Sequence, residues 1–309
     1  MSSDAHVPVL LGPVLEGLEI IADGLYVDGT FGRGGHSSAI LKQLNAGGRL
    51  IAIDRDPQAI AAAVPQLTND PRFTLIRSDF ANLARQLDEM GFTGGVDGLL
   101  LDLGVSSPQL DEARRGFSFL RDGPLDMRMD PGAGVSAAHW LETVEQKALI
   151  NVLRKYGEER EAVRIARAIV TARENAVIKT TVQLADIVAS VVPAHTRKRH
   201  PATKTFQAIR IYINNELEQL EAVLAQSIDV MRQGGRLCVI SFHSLEDRIV
   251  KRFMRDASRE SDQYRGMPDV PAEHRPKLAL IGKAISATAE EVDANVRSRS
   301  ARLRIAERL

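Results

Sequence analysis

The sequence predicts an α/β protein: a parallel sheet covered on both faces, interrupted by a long helical segment. Three observations carry that expectation. Between Tyr26 and Gly104, short apolar strands that end in polar residues alternate with helical stretches, as in a sheet whose strands are buried on both sides. The alternation then stops, and the next convincing strand is Arg236-Leu237-Cys238-Val239-Ile240, behind the turn signal Gly234-Gly235. The interval between is far longer than an ordinary connection and needs structure of its own.

The elements follow in order. Leu25-Tyr26-Val27 leads to Asp28, then to a glycine-rich stretch and a helix starting near Ser37. Arg49 to Ile53 ends at Asp54, and Pro57 stands where a first helical turn tolerates it, ahead of Gln58 to Leu67. Arg72 to Ile76 ends at Ser78-Asp79, Asn82 to Met90 is helical, and Val96 to Leu103 carries Asp102 near its end. Thr143-Val144-Glu145-Gln146 and Thr180-Thr181-Val182-Gln183 both have the capping-box pattern. Phe206, Ile209, Ile213, Leu217, Leu220, Leu224 and Ile228 step by three and four, which predicts one apolar helix face carrying the chain back to the sheet. After Ser244-Leu245-Glu246-Asp247 a capped helix runs to about Met254, and two expected edge strands follow, Leu278 to Ile285 and Ala301 to Ala306. The expected division is a sheet domain of residues 1–109 and 201–309, split by a helical insertion of residues 110–200.

Composition narrows the function. Of 309 residues, 40 are Lys or Arg and 40 are Asp or Glu, so net charge is zero and nucleic-acid binding must rest on local charge. One cysteine excludes a disulfide framework and a paired-Cys metal site, and no HExxH motif is present, so no metal is expected. Met1 to His6 lacks a basic leader and no apolar run reaches membrane-spanning length, so a cytoplasmic protein is expected.

In an open parallel sheet, ligands bind beyond the carboxyl ends of the strands. Asp28-Gly29-Thr30-Phe31-Gly32-Arg33-Gly34-Gly35-His36, Asp54, Asp79-Phe80 and Asp102 fall there. The glycines permit sharp turns and close approach of a ligand. Asp54 is placed to accept ribose hydroxyls, and Asp79-Phe80 to flank an adenine. The spacing D-x-T-x-G-x-G-G departs from the dinucleotide pattern G-x-G-x-x-G. Successive acids repel a pyrophosphate but suit the sulfonium and ammonium of S-adenosylmethionine. A nicotinamide-dependent oxidoreductase is the competing enzyme class, and a non-catalytic RNA-binding assembly factor is the competing non-enzyme.

Several segments together are similar to one family. They are Asp28 to Ser37, Asp54-Arg55-Asp56-Pro57, Asp102-Leu103-Gly104-Val105-Ser106-Ser107-Pro108-Gln109-Leu110, Gly123-Pro124-Leu125-Asp126-Met127-Arg128-Met129-Asp130 and Tyr156-Gly157-Glu158-Glu159-Arg160. His200-Pro201-Ala202-Thr203, Thr205 to Arg210 and Ser241 to Arg248 complete the set. The chain resembles the RsmH (MraW) family, bacterial methyltransferases acting on the N4 amine of a cytidine in small-subunit ribosomal RNA. The resemblance implies a Rossmann-like class I S-adenosylmethionine-dependent methyltransferase sheet with an inserted all-helical substrate-recognition domain. It implies cofactor contacts at Gly34, Gly35, His36, Asp54, Phe80, Asp102 and Gln109, of which His36 and Gln109 come from the resemblance alone. By themselves these two read as a helix-start residue and a loop amide.

Direct methyl transfer to an amine needs alignment more than covalent machinery. Hydrogen-bond acceptors on the amino hydrogens would favour the reactive, pyramidal nitrogen. Asp102, nearby backbone carbonyls and Ser106-Ser107-Pro108 lie where such acceptors are needed, with Asp102 and Ser106 the catalytic candidates; the acid/Asn/Ser-Pro-Pro-aromatic pattern of many amino methyltransferases is absent. Methylation at cytosine C5 would need a thiolate, and Cys238 sits in an apolar strand. For RNA, no acid occurs between Asp186 and Glu216, while Arg197, Lys198, Arg199, Lys204 and Arg210 are basic; Arg297, Arg299, Arg302 and Arg304 form a second acid-free stretch. His243, at a strand end, reads equally as a substrate contact and as a polar terminus. The expected partner is small-subunit ribosomal RNA, free or in the assembled subunit, with monomer and homodimer both open.

Overall fold

The computed structural model describes residues 8–192, 200–260, 263–264, 271 and 274–309. By internal contacts the chain forms two compact units, one of residues up to Gly104 together with Leu217–Leu309, the other Val105–Glu216.

The first unit is built on a seven-stranded sheet of order β3-β2-β1-β4-β5-β7-β6. β1 (Leu25–Asp28), β2 (Arg49–Asp54), β3 (Phe73–Arg77), β4 (Val96–Asp102) and β5 (Met231–Ser241) pair in parallel. β7 (Arg302–Arg308) runs antiparallel between β5 and β6 (Leu278–Ser286). Alternate strand residues feed opposite faces, as the pleat requires. Val27, Ile51, Ile53, Leu99, Leu101, Leu237 and Val239 pack with Leu83 and Leu87 of α5 (Leu83–Glu89), Leu220, Val223 and Leu224 of α12 (Glu216–Val230), and Val250 and Met254 of α13 (Ser244–Ala257). Tyr26, Leu50, Leu100, Cys238, Ile240 and Leu303 pack with Val14 and Leu18 of α1 (Leu11–Leu18) and Ile40 and Leu41 of α2 (Gly35–Leu41). Each such fully buried Leu or Ile contributes about 1.5–3 kcal/mol, and the near-continuous apolar runs of β2, β4 and β5 follow from burial on both faces.

The second unit is helical. α8 (Gln146–Gly157), α9 (Ala162–Asn175), α10 (Thr181–Val191) and α11 (Thr203–Asn214) bury Leu149, Leu153, Ile165, Ile169, Leu184, Val188, Phe206 and Ile209 against one another. The capping box expected at Thr180 is present, with Gln183 N–H donating to Thr180 Oγ1 and Gln183 Oε1 accepting from Thr180 N–H.

Four expectations need correction. The apolar row from Phe206 to Ile228 spans two helices, because Asn215 turns into the left-handed region at φ +50° and ends α11; asparagine tolerates that region well. Thr143 closes α7 (Ala137–Thr143) instead of capping α8, whose N-cap position is Glu145. The last strand is not at the edge: β7 is enclosed between β5 and β6, with Leu303 and Ala306 fully buried. α2 starts at Gly35, two residues before Ser37.

Candidate functional site

The strand order reverses at β1, which lies between β2 and β4. That reversal opens a crevice beyond the carboxyl ends of the two strands, where Asp28 and Asp102 stand. Asp28 is buried and organises the loop behind it. Its Oδ2 accepts from Ser37 Oγ at 2.6 Å and its Oδ1 from Thr30 N–H at 3.1 Å. Thr30 Oγ1 in turn accepts from the Asp102 N–H at 2.6 Å. The D-x-T pattern therefore lashes the end of β1 to the end of β4, and Asp28 serves as a scaffold residue.

Asp54, at the end of β2, fixes the other side of the loop. Its Oδ2 accepts from Gly32 N–H at 2.7 Å and its Oδ1 from Asp56 N–H at 2.8 Å. Gly34 has φ +73°, and a Cβ there would meet Phe31 Cε2 at 2.7 Å and Leu67 Cδ1 at 2.8 Å. At Gly35 a Cβ would come within 2.4 Å of Pro8 Cγ. Glycine is demanded at both positions, by conformation and space at Gly34 and by space at Gly35.

His36 is the second residue of α2 and is buried; its Nε2 lies 3.6 Å from Asp102 Oδ2. Burial holds the imidazole down to about 4, opposed by a backbone contact with Val9. Asp102 goes the other way. Removal from solvent, then the charges of Asp28 and Glu246, push its carboxyl up to about 8, and Oδ1 is sealed from water without a partner. Burial also raises Asp54 to about 6 against two backbone donors, and it raises Asp28. The expected ring of anions is therefore partly protonated at neutral pH, because like charges and desolvation both disfavour ionisation.

Beyond β3, Asp79 pairs with Arg55 at 2.9 Å, and Phe80 opens a short 3₁₀ turn; Phe80 Cβ lies 3.8 Å from where a Cβ on Gly29 would stand. Beyond β5, His243 is the N-cap of α13, and its Nε2 lies 3.1 Å from Glu246 Oε1. Glu246 is buried and accepts from Phe242 N–H at 2.8 Å and His243 N–H at 3.2 Å. Glu246 is not among the expected site residues; its signal in the sequence is an acid three residues beyond the N-cap. Cys238 lies in the core with its thiol pushed up to about 12 by burial.

Ser106, Gln109, Lys204 and Arg210 belong to the helical unit. Ser106 precedes α6 (Ser107–Asp111), and its N–H donates to Gln109 Oε1 at 2.9 Å. Gln109 is thus part of a capping box, legible in Ser106-x-x-Gln109. Lys204 is exposed, with Nζ donating to the Glu158 carbonyl at 2.9 Å. Arg210 makes a bidentate pair with Glu216, at 2.8 and 2.7 Å, with both side chains largely buried. Arg197, Lys198 and Arg199 lie outside the described residues. In the second basic stretch Arg304 is paired with Asp247 at 2.8 Å. A cavity of about 530 Å³ in the helical unit, lined by Asn151, Val152, Arg154, Lys155, Tyr156 and Tyr212, contains none of the expected site residues. Among the described residues no helix is long and apolar enough to cross a membrane.

Comparisons with known proteins place the chain among methyltransferases. A curated relative, the Ribosomal RNA small subunit methyltransferase H of Shewanella amazonensis, is 54% identical over 312 residues, covering 100% of this chain and 99% of its own. Two solved structures resemble the chain distantly. One is a candidate rRNA methylase of Clostridium thermocellum (14% identical, TM-score 0.46, 98% of this chain and 100% of that one). The other is an rRNA methylase of Streptococcus thermophilus (13% identical, TM-score 0.40, 97% and 93%). The profile of the MraW methylase family matches residues 3–309. The chain belongs to the MraW methylase family and is a methyltransferase.

Proposed function

We propose that the chain transfers a methyl group from S-adenosylmethionine directly to the exocyclic N4 amine of a cytidine in small-subunit ribosomal RNA. The observation that carries this reading is Asp102 Oδ1, an inward oxygen with no partner at the strand-order reversal, beside the buried imidazole of His36. Buried polar atoms of a native fold are normally satisfied, so this oxygen is free to meet a ligand. The groups around it fit the methyl donor: two glycines with no room for a side chain, and carboxyls whose ionisation a cation would favour.

S-adenosylmethionine is the methyl donor, and when bound it supplies a methyl group already activated on a sulfonium. Gly34, Gly35, His36, Asp54, Phe80, Asp102 and Gln109 hold it. The glycines admit close backbone approach, Asp54 meets ribose hydroxyls, and Phe80 offers its ring to the adenine. Asp102 accepts a hydrogen of the target amine, with Ser106 the second candidate acceptor. Alignment of this kind can supply about 7–11 kcal/mol of the barrier. A covalent route through C5 finds no nucleophile, since the thiol of Cys238 is buried and un-ionised.

Residues 110–200 recognise the substrate. Lys204, with Arg197, Lys198 and Arg199, meets phosphates; Arg210 supports them through its pair with Glu216. His243 contacts RNA at the rim of the sheet. The partner is the small ribosomal subunit or its RNA, in the cytoplasm.

The test uses labelled donor and small ribosomal subunits from cells lacking this protein, followed by nucleoside mass spectrometry. N4-methylcytidine is the expected product. Label at C5 would contradict the amine chemistry, and RNA without label would favour an assembly factor.

A further inference from the structure

Leu120 is 86% exposed, the most exposed of the large apolar side chains among the described residues. A single exposed leucine usually means little. This one differs because its loop is pinned on every side. Phe117 before it is buried. Phe119 packs against the rings of His200, at 4.5 Å, and Phe206, at 4.8 Å. After it, Thr181 Oγ1 donates to the Arg121 carbonyl at 3.3 Å, and Gly123 is held by Thr181 through both its N–H and its carbonyl. The Leu120 N–H itself donates to Ser118 Oγ at 3.2 Å. A rigid loop thus holds an apolar tip in water, where a polar residue would fit equally well.

Its setting has the chemistry of nucleic acid. Arg121 follows it, exposed. The Phe119 stack joins the loop to His200 and, through Phe206, to α11, whose second residue is Lys204. Proteins that open a base stack insert an apolar side chain between steps while cations hold the flanking phosphates. An enzyme that acts on a stacked or paired base must take it out of the stack.

We propose that Leu120 is an apolar wedge that enters the base stack of the RNA substrate. This rests on the RNA methyltransferase activity proposed above. The test compares wild type, Leu120→Ser and Leu120→Met for methyl incorporation into small ribosomal subunits, with donor binding measured by calorimetry. Leu120→Ser is expected to lower the methylation rate roughly tenfold or more, with donor affinity and melting temperature unchanged, and Leu120→Met to restore most of the rate. Equal rates for wild type and Leu120→Ser would overturn the wedge, as would a loss in Leu120→Ser that came with lost folding or donor binding. If wild type itself leaves RNA unlabelled, the function assigned to the chain fails, and the wedge with it.

Discussion

Nε2 of His36 stands 3.6 Å from Oδ2 of Asp102, and the two groups face each other uncharged. The imidazole gains its proton only near pH 4 and the carboxyl loses its proton only near pH 8. Between those limits the contact is a pair of neutral groups. A positive charge placed beside them favours the carboxylate, so the site meets a cation by shedding a proton.

That linkage has a sign. Below pH 8 the free protein holds the Asp102 proton, and a sulfonium must displace it. Affinity for S-adenosylmethionine therefore rises from pH 6 to pH 8, by at most about tenfold per pH unit, and then levels. Calorimetry in two buffers of different ionisation enthalpy should show proton release with S-adenosylmethionine and little with S-adenosylhomocysteine, whose sulfur is neutral. Asp102→Asn should remove the difference between the two ligands' proton release.

The same shift acts on stability. A carboxyl raised in the folded state binds a proton that the unfolded chain has lost, so its contribution falls as pH rises from about 4 to about 8. A quarter of the Asp102 side chain remains exposed, which tempers the effect. Asp102→Asn should stabilise the ligand-free protein by about 1–2 kcal/mol at pH 8 and by almost nothing at pH 4. Denaturant melts at the two pH values decide this.

Gly34→Ala introduces a methyl group at φ +73° against Phe31 and Leu67. A loss of about 1–3 kcal/mol in stability is expected, with donor affinity reduced because the Asp54–Gly32 and Asp28–Thr30 tethers shift with the loop. Thermal melting and donor titration measure both.

Much of this site is legible in the residue order. A strand that ends in the Asp of D-x-T-x-G-x-G-G places the loop; Asp54 and Asp102 end β2 and β4, and Asp79 stands two residues past the end of β3. Pairing between distant segments is not legible. Nothing local distinguishes an edge strand from β7, whose burial depends on β5 and β6 arriving on either side. The turn at Asn215 is hidden because the apolar spacing runs unbroken through it from Ile213 to Leu217. Charge state is hidden too: four acids look like four anions until burial raises Asp28, Asp54 and Asp102.

The basic residues within α11 separate by environment. Arg210→Ala leaves Glu216 largely buried without its partner and should cost about 3–5 kcal/mol of stability. Lys204→Ala, at an exposed position, should leave stability within about 0.5 kcal/mol and weaken RNA binding. Charge reversal at Arg197, Lys198 and Arg199 should weaken RNA binding further and flatten its salt dependence, with donor binding intact. Filter binding across a salt series, beside chemical melts, resolves the two roles.

The central claim is that the crevice between the ends of β1 and β4 takes a cationic methyl donor. A crystal of this protein soaked with S-adenosylmethionine tests it most directly. The account predicts density against Gly34 and Gly35, with Asp54 and Asp102 in polar contact; the donor bound elsewhere, or a nicotinamide dinucleotide occupying that crevice in preference to it, would contradict it.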